Sequence, residues 1–266
     1  MKREIIDVHA HIYPDAIAEK ASRAIGEFYD FDMPFSGSVS SLIFDGERAG
    51  ITHYVVHSVA TTAHQVGSIN NFISTVCARE KRFTGYCTLH PDMTEEQLYD
   101  EVSSAIKSGL KGIKLHPDFQ RFDIDGAGAY KIYRAAADRL PILLHTGDDR
   151  YDYSAPRRLV RAAKDFPHTT FIGAHFGAYR VYEEMPVYLG LDNVYFDTSS
   201  ALYYLSVPEA KGYIRLFGAE RFFFGTDFPM WKAKDEVERF LALGLTSREN
   251  ELIFSANAKS VLGIET

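Results

Sequence analysis

The chain has 266 residues, 46% of them hydrophobic and 24% charged, which is an ordinary globular balance with enough length to bury a substantial core. Its net charge of -7 argues against a nucleic-acid surface, which needs a basic face. Two cysteines, Cys77 and Cys87, argue against a disulfide framework. No apolar stretch approaches the roughly 20 residues that span a bilayer. With no apolar leader segment behind Met1, a cytoplasmic protein without membrane contact is expected.

Along the chain, short runs rich in Val, Ile, Phe and Tyr read as buried strands at residues 5–8, 53–56, 84–88, 112–115, 142–144, 170–173, 194–196 and 222–224. The segment FYDFDMPFSG, residues 28–37, reads as a loop inserted after the first strand. Thr94 is a plausible N-cap with Gln97 three residues on, and Leu98, Val102, Ala105 and Ile106 recur at helical spacing before Gly109. Residues 127–140, 155–166, 207–217 and 235–243 also read as helices. Strands alternating with helices predict an α/β chain, a (β/α)8 TIM barrel with a parallel eight-stranded sheet surrounded by helices, as one domain over residues 1–266. No G-x-G-x-x-G follows a strand, so dinucleotide binding has no support.

In such a barrel the chemistry lies at the C-terminal strand ends. Most of the ten histidines fall there: His9 and His11, His90, His116, His145 and His175, with Asp227 after the last strand. Alternate strand residues share a face, so His9 and His11 project together, about 6.6 Å apart along the strand. Two imidazoles so placed can converge on one ion, and His145 and Asp227 can complete its ligand set. Nitrogen donors with a carboxylate suit Zn, and also Mn, Fe or Co, better than Ca or Mg.

The stretches DVHAHIYP, LLHTGD, GAHFG and FGTDFP resemble the amidohydrolase superfamily, in its amidohydrolase-related branch, across essentially the whole chain. That branch includes decarboxylases resembling aminocarboxymuconate semialdehyde decarboxylase, and lactonases. The resemblance implies one divalent metal ion, zinc first, held by His9, His11, His145 and Asp227. It implies His175 as a catalytic acid/base or polarising group beside the metal-bound water, and a carboxylate such as Asp227 can bind the metal and also take a proton from that water. Some superfamily members bridge two metals with a carbamylated lysine on strand four. Lys114 occupies that strand, so a binuclear site with His145 and His175 on the second ion is the lesser alternative to a buried ion pair.

On the substrate side, Arg121, Arg150 and Arg180 follow strands four to six and are candidates to clamp a carboxylate. His116 is a candidate substrate contact from the rim, and Trp231 a candidate pocket wall. His57 and His64 carry no partner signal. The leading expectation is a metal-dependent hydrolase of a small carboxylated or cyclic substrate, an amide or lactone, acting through a metal-activated water. A non-oxidative decarboxylase on the same metal site is the alternative, and the short chain tilts the reading toward hydrolysis. A TatD-like nuclease and a non-catalytic metal-binding barrel rank lower. A small molecule is the expected partner, with the chain itself as a homodimer.

Overall fold

The computed structural model describes residues 3–266. Its strands are β1 (Ile6–His11), β2 (His53–His57), β3 (Phe83–Cys87), β4 (Gly112–Leu115), β5 (Ile142–Leu144), β6 (Phe171–Gly173), β7 (Val194–Asp197) and β8 (Phe222–Phe223). They form one eight-stranded sheet in the order β1 to β8, with helices in the connections. This is the (β/α)8 barrel that the alternating pattern predicts. Near-continuous apolar strands such as Ile142–Leu144 suit it, because both faces of a parallel sheet are covered. No helix among the described residues is long and apolar enough to cross a membrane.

Two compact units can be described. One comprises the residues up to His57, with Arg82–Thr84 and Thr198–Thr266. Within it β1 runs parallel to β2, with His11 opposite His57 and a register shift between Asp7 and Ala10. On its other side, Val8 N–H donates to the Phe224 carbonyl and His11 N–H to the Phe228 carbonyl, at 2.9 and 2.8 Å. Phe224, Phe240 and Phe254 pack ring to ring at 4.5 to 5.8 Å and fill the apolar side of this unit.

The second unit comprises Ser58–Lys81 and Gly85–Asp197. Its strands pair in parallel from β3 to β7, with Lys114 opposite Leu143 and Leu144 opposite Gly173. Tyr133 anchors its core against Phe166 and Phe171, with ring centroids 5.3 and 5.2 Å away.

Several boundaries differ from the sequence reading. β1 continues to His11, so both histidines lie inside the strand. Phe28 and Tyr29 belong to the helix Asp15–Tyr29, which ends on left-handed Asp30, so the loop is shorter than its predicted span. That helix buries Ala18, Ser22 and Gly26, small residues four apart that leave no large apolar stripe to read. A side chain at Gly26 would meet the Phe31 carbonyl oxygen at 2.5 Å. The helix that starts at Ala127 stops at Ala136, because Ala137 and Asp138 turn left-handed. The box at Thr94 and Gln97 forms as predicted.

Candidate metal centre

Three donor atoms converge in the first unit. Period two sends the His9 and His11 imidazoles to one face of β1. Asp227 joins them because its backbone N–H donates to the His9 carbonyl at 2.8 Å. His9 Nε2 lies 3.3 Å from His11 Nε2 and 3.3 Å from Asp227 Oδ1. His11 Nε2 lies 3.6 Å from that same oxygen. Donors bound at about 2.1 Å around a tetrahedral ion stand about 3.4 Å apart. The triangle therefore has the dimensions of one face of such a polyhedron, and its two nitrogens and one oxygen fit a small divalent ion.

The surroundings orient these donors. His9 Nδ1 is 3.0 Å from Ser199 Oγ. When Nδ1 carries the proton and donates it there, Nε2 presents its lone pair to the triangle, the usual arrangement behind a ligating imidazole. The buried Asp7 carboxylate accepts from the His9 and Thr226 backbone N–H groups and from the Thr226 hydroxyl. Asp227 itself has φ 60, left-handed backbone that few non-glycine residues adopt. Its Oδ2 accepts from Ser200 Oγ at 2.6 Å, and Ser200 Oγ accepts from Trp231 Nε1 at 2.8 Å.

Trp231, predicted as a pocket wall, is buried among Phe31 at 4.9 Å, Tyr203 at 4.5 Å and the Arg239 guanidinium at 5.2 Å. His57 is the residue that sequence reading passed over. It is fully buried, with its ring 4.4 Å from that of His11 and 5.1 Å from that of His9. The second strand reads as ending at Val56, one residue short. Extending it by one places His57 beside His11, so the signal was present in the spacing.

The second unit holds a row of rings. His145, after β5, stacks on His116 at 4.0 Å, and His116 stacks on Phe119 at 3.8 Å. His116 Nδ1 also accepts the Phe119 N–H, capping the short helix Pro117–Gln120. This places His116 in a packed stack. His145 Nδ1 and His175 Nε2 are 3.1 Å apart, and the His175 backbone N–H donates to Asp197 Oδ1 at 3.0 Å. Burial first, then His116, His175 and Lys114, hold the His145 pKa well below its ordinary value. These surroundings favour the neutral imidazole over the imidazolium. Its Nε2 lies 3.6 Å from Asp118 Oδ2, which accepts the Ser154 hydroxyl at 2.7 Å. Burial pushes the Asp118 carboxyl up to about 7. Lys114 is wholly buried in β4.

Arg150 and Arg180 have partners on their own chain. Arg150 grips Asp148 with two parallel bonds of 2.9 and 2.8 Å. Arg180 Nε lies 3.1 Å from Asp149. Arg121 is exposed on left-handed backbone just after the helix Pro117–Gln120.

A family model described as amidohydrolase matches residues 6–264. The chain belongs to the amidohydrolase family. It is an enzyme of that superfamily, as its strand-end motifs imply. No curated protein sequence matches the chain. Among solved structures, this amidohydrolase resembles an uncharacterised Tim-barrel protein from Bordetella bronchiseptica, at 21% identity and a TM-score of 0.80 over 98% of each chain. It resembles a 5-carboxyvanillate decarboxylase from Novosphingobium aromaticivorans with bound manganese, at 16% identity and a TM-score of 0.75 over 98% of this chain and 97% of that one. It also resembles a 2,6-dihydroxybenzoate decarboxylase from Rhizobium, at 15% identity and a TM-score of 0.71 over 98% and 99%. At these identities the likeness establishes the barrel. The decarboxylases are covered almost end to end, so chain length does not separate hydrolysis from decarboxylation.

Proposed function

We propose that this amidohydrolase is a metal-dependent, non-oxidative decarboxylase of a small aromatic or enolic carboxylic acid. His9, His11 and Asp227 hold a divalent ion, with His145 as the further ligand that the sequence motifs imply. The observation that carries the choice of reaction is the 2.6 Å bond from Ser200 to Asp227 Oδ2. A hydrolase on this scaffold needs that carboxylate to take a proton from water. Here a charge-assisted donor already occupies its outer oxygen, so that oxygen is engaged before a water could reach it.

When bound, the ion would supply positive charge that favours an anionic substrate. His175 donates a proton to the ring or enol carbon that bears the carboxylate. The bond to the carboxyl carbon then breaks, its electron pair returns to the ring or double bond, and carbon dioxide leaves. His175 recovers its proton from solvent. This reading uses one ion and does not call on Lys114 to bridge a second.

The test is a panel of hydroxybenzoic acids, lactones and amides given to protein loaded with manganese or zinc. Carbon dioxide release that disappears in Asp227→Ala and His175→Asn supports the proposal. Turnover of a lactone or amide with no carbon dioxide from any acid overturns it and supports the metal-dependent hydrolase.

A further inference from the structure

Asp227 divides its carboxylate between two tasks. Oδ1 faces His9 and His11, while Oδ2 accepts from Ser200. A serine hydroxyl has one hydrogen and two lone pairs. Around Ser200 Oγ stand Asp227 Oδ2 at 2.6 Å, Trp231 Nε1 at 2.8 Å and Met230 Sδ at 3.9 Å. An indole N–H can only donate. Trp231 therefore takes a lone pair, and the single hydrogen of Ser200 goes to the anionic oxygen in preference to the distant thioether. The chain of bonds has one direction, from Trp231 through Ser200 to Asp227.

Both ends of this chain are held. Ser200 has φ 57, a conformation that disfavours serine and that its surroundings impose. Trp231 is locked by Phe31, Tyr203 and Arg239, so its N–H cannot follow a moving acceptor. Turning the Asp227 carboxylate to offer both oxygens to one ion would break the 2.6 Å bond and leave the Ser200 hydroxyl without its anionic acceptor.

We propose that Ser200 and Trp231 are positioning residues that present Asp227 as a one-oxygen metal ligand, and that Trp231 reports occupancy of the ligand set. The proposal rests on the reading of Asp227 as a ligand and is independent of the reaction catalysed. Trp231 is the only tryptophan of the chain, so its emission has no background to subtract.

The experiment titrates metal-stripped protein with manganese chloride, following Trp231 emission and, in parallel, heat by calorimetry. In wild type the emission change and the heat are expected to give the same dissociation constant. Ser200→Ala is expected to weaken manganese binding about 10- to 100-fold. Trp231→Phe, followed by heat alone, is expected to weaken it less. The double variant is expected to bind no more weakly than Ser200→Ala, because the indole acts through the hydroxyl. Ser200→Asn tolerates left-handed backbone and keeps a donor, so it is expected to retain most of the affinity. Unchanged affinity in Ser200→Ala, additive losses in the double variant, or an asparagine variant as weak as the alanine one each overturn the positioning role. Absence of manganese or zinc binding by wild type overturns the ligand reading itself, which separates the two failures.

Discussion

Removing the Asp7 carboxylate should disconnect the two chain segments that form the donor triangle. Asp7 is fully buried in β1. Its Oδ1 accepts from His9 N–H at 3.0 Å and from Thr226 N–H at 2.9 Å, and its Oδ2 accepts the Thr226 hydroxyl at 2.6 Å. Asp7→Ala leaves both backbone donors and the hydroxyl without this acceptor. Each buried donor left unsatisfied costs about 1–3 kcal/mol. The hydroxyl can turn and water can enter the space vacated, so a total of about 3–6 kcal/mol is expected. Asp7→Asn keeps an oxygen for the two N–H groups and forfeits the charge, for a loss of about 1–2 kcal/mol. Urea unfolding at neutral pH with excess chelator measures both, since chelation removes any contribution from bound metal. An alanine variant within about 1 kcal/mol of wild type, or one more stable than the asparagine variant, would refute the reasoning.

Three further outcomes are expected. Saturating zinc or manganese should raise the unfolding free energy of wild type by about 3 kcal/mol at a hundredfold excess over its dissociation constant, and leave Asp227→Ala unchanged; equal shifts in both would place the ion elsewhere. Burial lowers the His53 pKa from 6.5 to about 4, so the unfolded chain binds the extra proton between those values. Stability from this group is then present above pH 6.5 and is lost as pH falls toward 4, by about 3 kcal/mol in all. His53→Gln should flatten the urea midpoint against pH over that window, and an unaltered profile would count against the burial argument. Gly147 has φ 85, and a side chain there would meet the Ala178 carbonyl carbon at 2.5 Å and the Tyr179 nitrogen. Gly147→Ala should destabilise the second unit by about 2–4 kcal/mol, and a neutral midpoint would show that the turn can shift.

The barrel was legible because its strands are continuous apolar runs separated by helical periodicity, a pattern written locally in the chain. The same holds for His9 and His11, whose period-two spacing places both imidazoles on one face whatever lies around them. Asp227 was readable from its position after the last strand. Helices that pack through small residues, such as Asp15–Tyr29 with Ala18, Ser22 and Gly26, left no stripe to find. The groups that hold the donors were out of reach for a different reason. Ser199 approaches His9 from 190 residues away, Ser200 reaches Asp227 across 27, and Asp7 meets Thr226 across 219. No local period encodes such meetings. Nor does sequence show that Trp231 aims its N–H at a serine, or that Arg150 spends its fork on Asp148. Which donor groups share a face follows from side-chain chemistry and strand period, which are local, whereas the orientation of each donor follows from burial and hydrogen bonds that exist only once distant segments have closed upon one another.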